Sequence, residues 1–151
     1  MDSFSPVFLL PILSVTGSQK GGYSLRGNGS MDFEMLKQVG VNVESAMERF
    51  MGNNALYAKM LKKILYEPAF GELVHAVSAC DRQAALAASH TMKGICGNLS
   101  LDPLFDLFSE QVVLMRADQW DDAYNMLPEI TETYTETMET MRAWLDMRAE
   151  I

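Results

Sequence analysis

The sequence predicts an all-α protein, an antiparallel up-and-down four-helix bundle with additional short helices ahead of it. Three observations carry this. Apolar residues recur three and four positions apart through nearly all of 33–149, with no sustained period-2 alternation. Capping residues and prolines cut that stretch into segments of helical length. The connections are short, as at Cys80-Asp81 and Ser100-Leu101, so successive helices pack as antiparallel neighbours.

Residues 1–30 are a different material. The apolar run Val7 to Val15 is interrupted by Pro11 and Ser14 and followed by the glycine-rich stretches 17–22 and 27–30. It is about half the roughly 20 residues a membrane helix needs, and Asp2 stands where a secretory signal carries Lys or Arg. A flexible leader or vector-derived tail is expected over 1–30, with the bundle over 31–151.

Within the bundle, Asn42 caps a helix over Val43–Met51, and Asn53 or Asn54 caps one over Ala55–Tyr66. Pro68, at a first helical position, precedes Phe70–Ala79, and Asp81 starts a helix running to about Leu99. Asp102-Pro103, a cap followed by an N1 proline, begins a helix to about Ala117. Asp118 opens the last segment, with Asp121 and Asp122 favouring the positive end of its dipole, and Pro128 must break or kink it. Beyond it Ile130, Tyr134, Met138, Met141 and Leu145 form an apolar stripe, with Glu129, Glu132, Glu136 and Glu139 on the solvated remainder.

Composition excludes several functions. At 151 residues and net charge −8, the chain fits one domain and lacks a basic stripe to neutralise a phosphate backbone, so nucleic acid is not expected as a partner. Two histidines, His75 and His90, cannot build a three-imidazole zinc centre. Cys80 and Cys96 have no metal-site or redox spacing and read as free thiols in a reducing cytoplasm. Twelve methionines point to an adaptable core or contact surface.

The helix carrying His90 breaks the rules of stability. At 100° per residue, Ala88, Met92, Ile95 and Leu99 fall about 140° to 200° from His90, with Ala85 and Cys96 beside them, and face the core. His90, Lys93, Gly94 and Gly97 take the opposite side, with Gln83, Leu86 and Ala87 earlier on it and Asn98 at its margin. Two glycines inside a helix cost about 1 kcal/mol each relative to alanine, so they call for a steric reason. Clearing bulk around an exposed imidazole is such a reason: another protein's surface can then approach the ring. Lys93, three residues on, can bring an ammonium to a phosphoryl group on His90.

The stretch Ala88-Ser89-His90-Thr91-Met92-Lys93-Gly94-Ile95-Cys96-Gly97-Asn98-Leu99 resembles the His-x-x-Lys-Gly signature of histidine-containing phosphotransfer domains, the relay modules of multistep two-component signalling. The likeness extends over Met31–Leu145, including the acidic turn Ala79-Cys80-Asp81 before the histidine helix and the hairpin partner Asp102–Ala117. It implies phosphorylation of His90 on Nε2, phosphate stabilisation by Lys93 and steric access at Gly94. Gln83, Leu86, Ala87, Gly97 and Asn98 are then the partner-binding surface. Two positions depart from the family pattern. Ser100 stands where many members have glycine, from which an altered helix terminus is expected, and Cys80 replaces a glycine often found in the preceding turn.

The expected activity is a relay: His90 accepts a phosphoryl group from a receiver-domain aspartate and passes it to the aspartate of another response regulator. The chemistry is positioning and charge stabilisation, and Mg²⁺ is expected in the receiver, with no cofactor in this chain. Autokinase activity is not expected, since Thr91 replaces the acidic residue that usually follows a kinase histidine and no nucleotide loop is present. A rival reading takes Glu72-x-x-His75 as half of a di-iron motif, but the second copy fails because position 87 is alanine. A second rival is a helical adaptor that binds partners without phosphoryl transfer. A cytoplasmic, free-standing monomer with no membrane contact is expected.

Overall fold

The computed structural model describes residues 33–149, and the glycine-rich segment 1–30 lies outside them. The chain divides into two units, Met1–Glu34 and Met35–Ile151, of which the second holds the helices that build the core. The described residues are all-α, with one isolated bridge, Val41 to Leu101, in place of any sheet. The helices are α1 (Glu34–Lys37), α2 (Val43–Arg49), α3 (Asn54–Ile64), α4 (Ala69–Ser78), α5 (Arg82–Asn98), α6 (Asp102–Arg116), α7 (Trp120–Asn125) and α8 (Leu127–Ala149). No helix among the described residues is long and apolar enough to cross a membrane.

Helix starts follow the capping chemistry with three shifts, one of them at α7, where Gln119 is the cap and Asp118 lies one residue ahead of it. The side chains of Asn42, Asn53 and Asp81 accept from the backbone N–H groups of Ser45, Leu56 and Ala84 at 3.0, 3.0 and 3.1 Å. Pro68 sits at the cap of α4, one position ahead of the first helical residue. Asp102 is the first residue of α6 and Leu101 its cap. Leu101 is held by its own N–H, which donates to the Cys96 carbonyl at 2.9 Å, and the Asp102 carboxylate accepts from Asn42 Nδ2 at 3.0 Å instead of capping. Pro128 breaks the last segment as expected: it has no N–H for the carbonyl four residues back, so α7 ends and α8 restarts around it.

Helix ends are less conventional. Met51, Cys80, Ser100 and Asp118 all occupy the left-handed region, with φ of 54°, 55°, 59° and 65°. After α4, α5 and α6 the termination is the same: Asp81, Leu101 and Gln119 N–H groups reach back to the carbonyls of Ala76, Cys96 and Leu114, each at 2.9 Å. These are Schellman turns with a side chain where glycine is usual. The α5 terminus is therefore not altered by Ser100, which adopts the backbone conformation a glycine would.

The core draws on helices α3 to α8. Leu61, Leu73, Met92, Phe108, Ile130, Met141 and Trp144 are fully buried, each 0% exposed. Helix α5 packs against α4 and α6, and α8 packs against α6 and α3. One polar chain crosses this interior: Ser89 donates to Gln111 Oε1 at 2.8 Å, and Gln111 Nε2 donates to the Ala123 carbonyl at 2.9 Å. Both of these buried side chains are thereby satisfied, and α5, α6 and α7 are linked. Along α8, Ile130, Met138 and Met141 are buried, Tyr134 and Leu145 are half-buried, and the four glutamates are exposed.

Candidate functional site

Helix α5 begins at its Asp81 cap and runs through Ala84, Ala85, Ala87 and Ala88, strong helix formers that offset the two glycines further on. Its inner face is Ala85, Ala88, Met92, Cys96 and the cap Leu99, all buried, while Ile95 is only half-buried. Ser89, which the helical pattern does not assign to the core, is buried and bonded to Gln111. Burial pushes the Cys96 thiol up to about 12, so it stays protonated and inert inside the core.

On the outer face His90, Gly94 and Asn98 are exposed, and Lys93 and Gly97 beside them are half-buried. These five residues line one shallow concavity of about 250 Å³, which is completed by Arg49 from α2 and Phe105 from α6. Gln83, Leu86 and Ala87 belong to the same helix but lie outside this lining. No Asp or Glu lines the concavity, although the chain carries net charge −8. A larger groove of about 660 Å³ runs from Lys37 to Glu48 and holds neither an imidazole nor a thiol, so size does not mark the chemistry.

The two glycines answer to different demands. A Cβ at Gly94 would meet nothing within 4 Å, so no neighbour in the fold requires glycine there. A Cβ at Gly97 would lie 3.0 Å from Cδ1 and Cε1 of Phe105. Gly97 thus has an internal reason, the close approach of the Phe105 ring, and the steric argument for access rests on Gly94.

Arg49 and Phe105 have no signal in the local sequence. Arg49 reads there as a basic residue in the last turn of α2, favourable to the helix dipole. What brings it to α5 is a latch of long-range contacts. Asn42 N–H donates to the Ser100 carbonyl at 2.9 Å, and the Ser100 hydroxyl to Ser45 Oγ at 3.1 Å. The Tyr57 hydroxyl donates to the Leu99 carbonyl at 2.6 Å, and its ring packs obliquely on Phe50, 5.1 Å away. Burial, and secondarily the Asp102 charge, hold that hydroxyl protonated well above its ordinary range, so it stays a donor. Between α1 and α2, Gly40, with φ of 84°, lies so close to Pro103 that any side chain would run into the ring.

Glu72 and His75 are both exposed on α4. Among the described residues, no group of three or more His, Cys, Asp and Glu is placed to hold a metal ion. No family model, curated protein or solved structure matches the chain.

Proposed function

We propose that this protein is a histidine-containing phosphotransfer module that relays a phosphoryl group between receiver domains in the cytoplasm. The observation that carries the reading is the concavity at His90: an exposed imidazole beside Lys93, next to a glycine with open space over it, and without a carboxylate in the lining. A dianionic phosphoryl group is favoured by that charge, and a flat protein surface can approach over Gly94. The proposed architecture is an up-and-down bundle in which α3 and α4 together make one wall and α5, α6 and α8 the other three. It is supported by the neighbour relations of α5 with α4 and α6, and of α8 with α6 and α3.

In the proposed step the neutral His90 ring attacks phosphorus in line with its Nε2 lone pair. The P–O bond to the receiver aspartate breaks, and the aspartate leaves as a carboxylate with the bonding pair. The reverse step delivers the group to a second receiver. Lys93 offsets charge on the transferring group, and any Mg²⁺ belongs to the receiver. A single histidine suffices, so the working unit is a monomer and its partners are receiver domains.

The test incubates the chain with a panel of phosphorylated receivers and follows label that is lost in acid and stable in base. Wild type is expected to take up label and His90→Gln none. A wild type that stays unlabelled with every competent receiver would defeat the relay and leave the adaptor reading.

A further inference from the structure

We propose that Arg49 is a second phosphoryl-binding cation of the His90 site, acting with Lys93 from a different helix. This rests on the relay reading and deepens it. A phosphorylated histidine carries close to two negative charges, as other phosphorylated side chains do near neutral pH. Lys93 supplies one positive charge, and nothing else on α5 in the lining supplies a second, because the remaining lining residues of that helix are His90, two glycines and Asn98. Arg49 lines the same concavity and brings a planar, permanently charged fork, the shape that grips two oxygens of a phosphoryl group at once.

Two features separate this from a surface arginine that happens to lie near. The first is the lining itself, in which Arg49 faces no Asp or Glu across the concavity, in a chain where acidic residues outnumber basic ones by 20 to 12. The second is how firmly α2 is fixed to the end of α5. Asn42, the cap of α2, and Ser45 in its first turn bond to Ser100 and Asp102, over sequence separations of 55 to 60 residues. That latch sets the position of α2 against the turn that ends the histidine helix, and Arg49 is in its last turn. As His90 Nε2 forms the P–N bond and the P–O or P–N bond to the donor breaks, Arg49 holds non-bridging oxygens and neither gains nor loses a proton. It remains charged throughout.

The experiment removes the receiver, so that docking and phosphoryl contact are separated. The full chain is treated with phosphoramidate, a small phosphoryl donor that releases ammonia. The rate of label uptake on histidine is measured for wild type, Arg49→Ala, Arg49→Lys and His90→Gln, with the helical signal and melting temperature of each. Wild type is expected to label and His90→Gln not to. Arg49→Ala is expected to label about fivefold more slowly, with Arg49→Lys recovering most of the loss and the difference shrinking as salt is raised. Should Arg49→Ala melt early, Arg49→Gln, which keeps the length of the side chain, takes its place. Uptake at the wild-type rate in the Arg49 variants would overturn the assignment while leaving the relay intact. Variants that are slow only with receiver donors would overturn it as well, since Arg49 would then serve docking. A wild type labelled neither by phosphoramidate nor by receivers would overturn the relay and this inference together.

Discussion

A methyl group added at Gly94 points into open space, whereas the same group at Gly97 presses on the Phe105 ring at 3.0 Å. Both positions are inside α5, where glycine costs about 1 kcal/mol relative to alanine through backbone entropy. Gly94→Ala is therefore expected to raise the free energy of unfolding by about 1 kcal/mol. Gly97→Ala is expected to show no such gain, because the ring must be displaced. Urea denaturation of the two variants checks this, and equal stabilisation by both would mean that Phe105 yields freely. The amino-acid order alone makes the two glycines look alike, since both fall on the His90 face. Only the packing of α6, through Phe105, tells them apart. The concavity shows the same limit of local reading: five of its seven residues come from successive turns of one helix, while Arg49 and Phe105 arrive through tertiary contacts.

At the scale of the helices, beginnings are easier to read than ends. Asn42, Asn53 and Asp81 bond their own helix within three residues, so their role is written in adjacent positions. Asp102 departs from its expected capping role because a residue 60 positions away, Asn42, takes its carboxylate. Four of the ends lack their usual glycine, and Met51, Cys80, Ser100 and Asp118 hold the left-handed conformation at a cost of about 1 kcal/mol each or somewhat more. The turn after α4 and the turn after α5 then give contrasting expectations. Cys80 is exposed, so Cys80→Gly should relieve that strain and stabilise the chain by about 1 kcal/mol. Ser100 is buried and donates its hydroxyl to Ser45, so Ser100→Gly gives up a bond of about 1 kcal/mol and should end near neutral. Thermal melts of the two variants test the pair, and stabilisation by Ser100→Gly to the same degree would show that the latch to α2 contributes little.

For the whole molecule, an all-helical fold follows from periodicity alone, because an apolar stripe repeating every three to four residues has to be covered by other helices. The interior is less legible where it is polar or aromatic. Gln111 and Ser89 are fully buried, and nothing in their local pattern tells that a partner waits on another helix. Cys96 turns this interior into a measurement of global opening. Its thiol is buried on α5 and raised by desolvation from the ordinary 9.0 to about 12, while Cys80 is exposed. A disulfide exchange reagent is therefore expected to titrate one thiol of the native chain rapidly and the second only as the fold opens. The slow phase should be about a thousandfold slower or more, and both should react at once in denaturant. The same displacement acts on stability. An acid whose folded pKa is raised keeps its proton in the folded chain and loses it in the unfolded one between the two values. The full contribution of Cys96 is thus present below pH about 9 and declines as pH climbs toward about 12, by at most about 1.4 kcal/mol per pH unit. Cys96→Ala should flatten that alkaline decline. Rapid reaction of both thiols in the native wild type would show that the α5–α6 interior is open to solvent.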